Sequence, residues 1–174
     1  MKPFPQRKSP RLRDYDYSQS GAYFVTICTN QRRHLFGEVD AGNMRCSRLG
    51  QIAADELQVI LQRWPHIELD LFVVMPNHVH AILIIYDTET VGTAFLPSAA
   101  LSSKQPILGH VMGSYKAGVT RVARQQALIE ADDLIWQERF HDHIIRDEDG
   151  LNHIRNYVLY NPESWERDTF YGDG

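Results

Sequence analysis

The sequence predicts an α+β fold: a ferredoxin-like βαββαβ antiparallel sheet with an additional C-terminal helix. Runs rich in β-branched and aromatic residues alternate with stretches of helical hydrophobic spacing, in the order β-α-β-β-α-β-α. The first six of these elements match the split β-α-β pattern. With 174 residues the chain suits one domain, long enough to bury roughly 70% of its unfolded surface.

Residues 1–20 are polar, basic and Pro-containing, and read as an extended arm. Ala22–Thr29 is rich in β-branched and aromatic residues and forms the first strand. Ser47 can cap a helix that carries Leu49, Ile52, Ala53, Leu57, Ile60, Leu61 and Trp64 on one stripe, and Pro65 ends it. Leu69–Met75 and His78–Tyr86 read as two strands, with Pro76-Asn77 supplying turn chemistry between them. Residues 87–106 read as a long loop. From Ile107 to about Gln126, Val111, Tyr115, Val119 and Val122 recur near helical spacing, with Lys116, Thr120 and Arg124 on the opposite side. Trp136–Ile145 is the next strand candidate. Asp147-Glu148-Asp149 place negative charge at the start of a last helix, as its dipole favours. That helix carries Leu151, Ile154 and Val158, and Pro162 stops it.

Hydrophobic residues make up 43% and charged residues 23%, ordinary globular usage that argues against a disordered or collagenous chain. Two cysteines are too few for a disulfide framework or a zinc ribbon, and Cys28, in an apolar run, reads as a reduced core residue. No apolar run approaches the roughly 20 residues that span a bilayer, and the first residues lack a secretory apolar stretch. The expectation is a soluble cytoplasmic protein with no membrane partner.

The net charge of −4 speaks mildly against nucleic acid, which needs clustered Lys and Arg. Its distribution changes that. Residues 1–50 carry +5 and residues 51–174 carry −9. Lys2, Arg7, Lys8, Arg11 and Arg13 precede any acid, and Lys104, Lys116, Arg121 and Arg124 fall in an acid-free window. These bases are either a solvated tail and helix face or two segments of a phosphate-binding surface.

The sharpest local feature is Met75-Pro76-Asn77-His78-Val79-His80. In a strand, residues i and i+2 share a face, so His78 and His80 project together as a pair of imidazoles suited to a divalent metal. Spacing alone is weak, since eight histidines give roughly 0.4 such pairs by chance. His141-Asp142-His143 has the same spacing. Context favours the first pair, which opens the β-prone run Ala81–Ile85 and so sits on a rigid element. In the last helix, Tyr157 and Asn161 are four apart and share a face. Tyr157 reads either as a boundary tyrosine or as a nucleophile.

Met-Pro-Asn-His-Val-His after a hydrophobic strand resembles the His-hydrophobe-His motif of single-tyrosine HUH transposases. Trp136-Gln137-Glu138-Arg139-Phe140, His143-Ile144-Ile145-Arg146-Asp147 and Tyr157-x-x-x-Asn161-Pro162 resemble the C-terminal part of that family, closest to its REP-associated tyrosine transposases. Arg7–Leu12 and Tyr23–Thr26 resemble its N-terminal start. The resemblance runs nearly the whole chain in order. It implies a basic arm over 1–20, a catalytic domain over 21–162 and a tail over 163–174. It implies that His78 and His80 are metal ligands, that Tyr157 is the nucleophile, and that Asn161 matches the amide that completes metal binding, where many insertion-sequence members carry Gln. The third ligand stays open on that account. His141 and His143 receive no ligand role.

The implied activity is cleavage and rejoining of single-stranded, hairpin-forming DNA through a 5′-phosphotyrosine, with Mg²⁺ or Mn²⁺ as cofactor and a nucleoid-associated location in the cytoplasm. Arg7, Lys8, Arg11, Arg13, Lys116, Arg121 and Arg124 are the expected DNA contacts, and monomer and homodimer are both open. Two alternatives remain: a hairpin-binding protein without turnover, and a metal-dependent nuclease that uses water.

Overall fold

The computed structural model describes residues 20–86 and 107–171. The basic arm, with Arg7, Lys8, Arg11 and Arg13, and the 87–106 loop lie outside the described residues.

Among these residues, strands and helices follow in the order β1 (Gly21–Cys28), β2 (Gly37–Asp40), β3 (Asn43–Cys46), α1 (Arg48–Arg63), β4 (Ile67–Met75), β5 (His78–Ile85), α2 (Ile107–Gln125), β6 (His141–Ile145) and α3 (Glu148–Leu159). Short 3-10 turns occur at Asn30–Arg32 and Pro162–Arg167. The main sheet has the order β4-β5-β1-β6, and every neighbouring pair is antiparallel. This is the expected ferredoxin-like arrangement, with β2 and β3 forming a separate two-stranded sheet.

Alternation along β1 and β5 sorts side chains between two layers. Tyr23, Val25 and Ile27 of β1 and Val79, Ala81, Leu83 and Ile85 of β5 face the main core, under α1 and α2. Ala22, Phe24 and Ile82 face the other way and meet Leu151, Ile154 and Val158 of α3. Central strands covered on both faces explain why Ala81–Ile85 reads as a continuous apolar run.

The helix starts follow their caps. The Ser47 hydroxyl accepts from Gly50 N at 3.1 Å and donates to Leu35 O at 2.8 Å. Gly50 is required by close approach, since a Cβ there would lie 2.1 Å from Phe36 O. Asp147 caps α3 by accepting from Gly150 N at 2.7 Å, with Glu148 and Asp149 in its first turn.

Two features place α3 over the sheet. The β4–β5 register shifts between Leu69 and Leu71, leaving Asp70 as a bulge. Its carboxylate accepts two hydrogen bonds from Arg155 of α3, one of them at 2.8 Å from Nε to Oδ2. Such a bidentate pair fixes orientation as well as proximity.

The last strand is shorter than the predicted Trp136–Ile145. Trp136 makes only an isolated bridge to Thr29, and the Lys116 ammonium donates to Gln137 O at 2.7 Å and Glu138 O at 3.2 Å. The described part of the expected tail packs on the domain, with Trp165 buried. No helix among the described residues is long and apolar enough to cross a membrane.

Candidate metal and tyrosine site

The two-residue turn Pro76-Asn77 starts β5, so His78 and His80 emerge at one end of the central sheet, on the α3 face. They are 0% and 1% exposed, and their Nε2 atoms are 3.0 Å apart.

Neighbouring groups set the orientation of each ring. Asn77, fully buried, donates from Nδ2 to Phe170 O at 2.9 Å. That turns its Oδ1 toward His78 Nδ1 at 2.8 Å. An amide oxygen only accepts, so His78 carries its proton on Nδ1 and keeps a lone pair on Nε2. His80 Nδ1 lies 2.8 Å from Thr26 Oγ1. A hydroxyl both donates and accepts, so Thr26 suits either state of that ring. Partners on the outer nitrogen that steer the inner one are usual behind histidine ligands.

Burial, and then the nearby Arg32 cation, depress His78 to a pKa of about 3. His80 is held well below its ordinary value by burial and by His78, with Asp168 acting in the opposite sense. Both rings are therefore neutral near pH 7, the form that ligates metal.

Tyr157, on α3, reaches over the pair. Its hydroxyl is 3.3 Å from His80 Nε2 and donates to Asp168 Oδ2 at 3.1 Å. Its ring meets Phe24 edge-on at 6.0 Å between centroids. Burial first, then the negative charge of Asp168 and the hydrogen bond to it, push the phenol up to about 12. It stays protonated until a proton acceptor and a positive charge act on it. Tyr157 is 39% exposed, so one flank of the site opens to solvent.

Asn161 is buried. Its Nδ2 donates to Asp168 Oδ2 at 2.7 Å, and its Oδ1 is buried with no hydrogen-bond partner among the described residues. A buried carbonyl oxygen without a partner costs free energy unless something polar meets it.

His78, His80 and Asp168 each offer a ligand atom, all within 4.8 Å of one another. Two imidazole nitrogens, a carboxylate and an amide oxygen suit a hard to borderline divalent cation. The facing nitrogens and the orphaned Asn161 oxygen make the donor set fit such an ion.

The structure thus brings Tyr157, His78, His80 and Asn161 together, four residues singled out in the sequence. It adds three that sequence reasoning missed: Asp168, Thr26 and Asn77. The only sequence signal for Asp168 is the aromatic content around it (Trp165, Phe170, Tyr171), unusual for a solvated tail.

Lys116, Arg121 and Arg124 lie elsewhere. They stand on α2, whose apolar face packs on the opposite side of the sheet from α3. Lys116 is partly buried and bonded to carbonyls, Arg121 lies 3.8 Å from Glu56, and Arg124 donates to Ala131 O at 2.6 Å. His141 and His143 sit exposed on β6.

No family model matches the chain. An uncharacterized protein of Haemophilus influenzae is 35% identical over 173 residues, covering 96% of this chain and 94% of that protein. Among solved structures, the REP-associated tyrosine transposase bound to a REP hairpin is similar at a TM-score of 0.59 and 22% identity, over 89% of this chain and 73% of that chain. A Deinococcus radiodurans structure is more distant, at a TM-score of 0.49 and 16% identity, over 86% of this chain and 95% of that one.

Proposed function

We propose that this chain, which belongs to one family with the Haemophilus influenzae protein and has the fold of the REP-associated tyrosine transposase, is a metal-dependent tyrosine transposase. It cleaves and rejoins single-stranded, hairpin-forming DNA through Tyr157. The observation that supports this most is the Tyr157 hydroxyl, placed between a candidate ligand (His80 Nε2, 3.3 Å) and a carboxylate (Asp168 Oδ2, 3.1 Å). A structural tyrosine needs neither neighbour.

In this reading His78, His80 and Asp168 hold Mg²⁺ or Mn²⁺, with the orphaned Asn161 oxygen as a further ligand. When bound, that ion polarises the scissile phosphate and offsets developing negative charge. The strand approaches along the exposed flank of Tyr157. The phenol proton leaves along the hydrogen bond to Asp168 Oδ2 as the phenolate oxygen attacks phosphorus in line. The bond from phosphorus to the 3′ oxygen breaks, leaving a 5′-phosphotyrosine and a 3′-hydroxyl once that oxygen takes up a proton. Attack by another 3′-hydroxyl reverses the step without ATP. Phe24 and Asp147 support it by packing on the Tyr157 ring and by capping the helix that carries it. Arg7, Lys8, Arg11 and Arg13 of the arm hold the DNA backbone, with Lys116, Arg121 and Arg124 of α2 on the far face reached by a folded hairpin. The protein works in the cytoplasm, on the nucleoid.

Incubation with hairpin-bearing single-stranded DNA and Mn²⁺ should give a covalent protein–DNA band on a denaturing gel, and Tyr157→Phe should abolish it. Undiminished cleavage by that variant removes Tyr157 as nucleophile and favours a nuclease that uses water. One observation favours hairpin binding without turnover: both histidines lie under Phe170, whose ring centroid is 4.8 Å from His78 and 5.8 Å from His80. That reading predicts a mobility shift with no adduct.

A further inference from the structure

We propose that Arg32 is a positioning residue of the metal centre: its guanidinium clamps Thr169 and Phe170 and thereby holds Asp168 against His78 and His80. The inference rests on the metal-centre part of the reading above and is independent of the DNA chemistry.

Asp168 follows the last 3-10 turn and belongs to no regular element. Its carboxylate is oriented locally, by Phe170 N donating to Oδ1 at 2.7 Å. The segment is tied to the sheet from inside by Asn77 Nδ2 on Phe170 O and by the Phe170 ring against both histidines. From outside it is held by Arg32. The Arg32 Cζ lies 5.3 Å from the Phe170 ring centroid, and its Nη1 donates to Thr169 O at 3.4 Å. A planar guanidinium can stack on a ring and donate to a carbonyl at once, which a lysine cannot.

The backbone is bent to allow this. Gln31 and Arg32 both have φ of 57°, two consecutive non-glycine residues in the left-handed region. That conformation is sparsely populated and persists where the surroundings fix it. Here they do: Thr29 N donates to Asn77 O at 2.8 Å and the Thr29 hydroxyl donates across the turn to Arg33 O at 2.7 Å, so the turn is anchored at both ends. Arg32 has no carboxylate partner among the described residues.

The proposal differs in sign from a purely electrostatic role. A cation close enough to depress His78 repels a divalent ion, so by charge alone removing it should tighten metal binding. As a clamp, removing it should weaken binding, because Asp168 is no longer held.

The test is Mn²⁺ affinity of the full chain, read by electron paramagnetic resonance without DNA, with thermal melting to confirm that each variant folds. Arg32→Ala should bind Mn²⁺ about tenfold more weakly, the usual scale for losing a group that orients a ligand. Arg32→Lys should recover only part of the loss, and Asp168→Asn should lose at least as much as Arg32→Ala. Adding Arg32→Ala to Asp168→Asn should cause no further weakening, because the two act through one contact. Affinity equal to or tighter than the parent's in Arg32→Ala overturns the proposal. So does unchanged affinity in Asp168→Asn or in a His78→Ala, His80→Ala double variant. A missing DNA adduct beside the expected Mn²⁺ results sinks the transposase reading and leaves this one standing.

Discussion

His78-Val79-His80 and His141-Asp142-His143 share a spacing and a sheet face, and only the first is built into a site. The register places them on either side of one residue: Thr26 of β1 pairs with His80 of β5 and with His141 of β6. β5 is central, covered on both faces, and its histidines are buried. Each has an oriented partner on Nδ1, and their Nε2 atoms face one another beside a carboxylate. β6 is the sheet edge and its histidines are exposed. The His141 ring lies 6.5 Å from that of Phe170, centroid to centroid. Spacing guarantees a common face. A central strand and a supporting shell make that face a site.

The largest expected effect separates the two pairs directly. A His78→Ala, His80→Ala variant should lose Mn²⁺ binding and adduct formation by roughly a hundredfold or more, since two of the ligands go. A His141→Ala, His143→Ala variant should stay within about threefold, as surface substitutions away from a site do. Comparable losses in both, measured by metal titration, would break the comparison.

A smaller effect sharpens it. Thr26→Val removes the partner of His80 Nδ1 and keeps the shape, so metal affinity should fall about tenfold. Thr26→Ser keeps the hydroxyl and should restore most of it. If Val binds metal as well as the parent, the shell behind the first pair does not matter.

A separate effect is in stability against pH. His78 has a folded pKa of about 3 against an ordinary 6.5, and His80 shifts the same way. The unfolded chain therefore takes up protons that the folded chain refuses. Stability is full above pH 6.5 and falls as pH drops below it. Urea unfolding between pH 7 and 4 should show this slope flatten in the His78→Ala, His80→Ala variant and persist in the His141→Ala, His143→Ala variant.

Much of this was legible in the sequence, for physical reasons. Helices α1, α2 and α3 announce themselves by apolar spacing, and Ser47 and Asp147 by capping chemistry. His78, His80, Tyr157 and Asn161 could be singled out because a strand and a helix place i, i+2 and i, i+4 residues predictably. The rest depends on tertiary contact. The β2–β3 hairpin is short, polar and half-exposed, so no apolar alternation marks it. The predicted start of β6 at Trp136 failed because that residue makes only an isolated bridge to Thr29, and the segment after it is held by Lys116, distant in sequence. Asp168 follows Asn161 in a segment with no helical or strand period, and it reaches the histidines only because Pro162–Arg167 turns back and buries Trp165. Lys116 and Arg124 shared a helix face as the spacing required, but spacing could not reveal that α2 packs on the face away from Tyr157.

The central claim is that Tyr157 attacks phosphorus. Its most direct test is peptide mapping of the covalent product formed with hairpin DNA and Mn²⁺, after nuclease trimming. A 5′-phosphoryl nucleotide on the peptide that contains Tyr157 is the expected result. Cleaved DNA with no modified peptide, or the nucleotide on another residue, would contradict it.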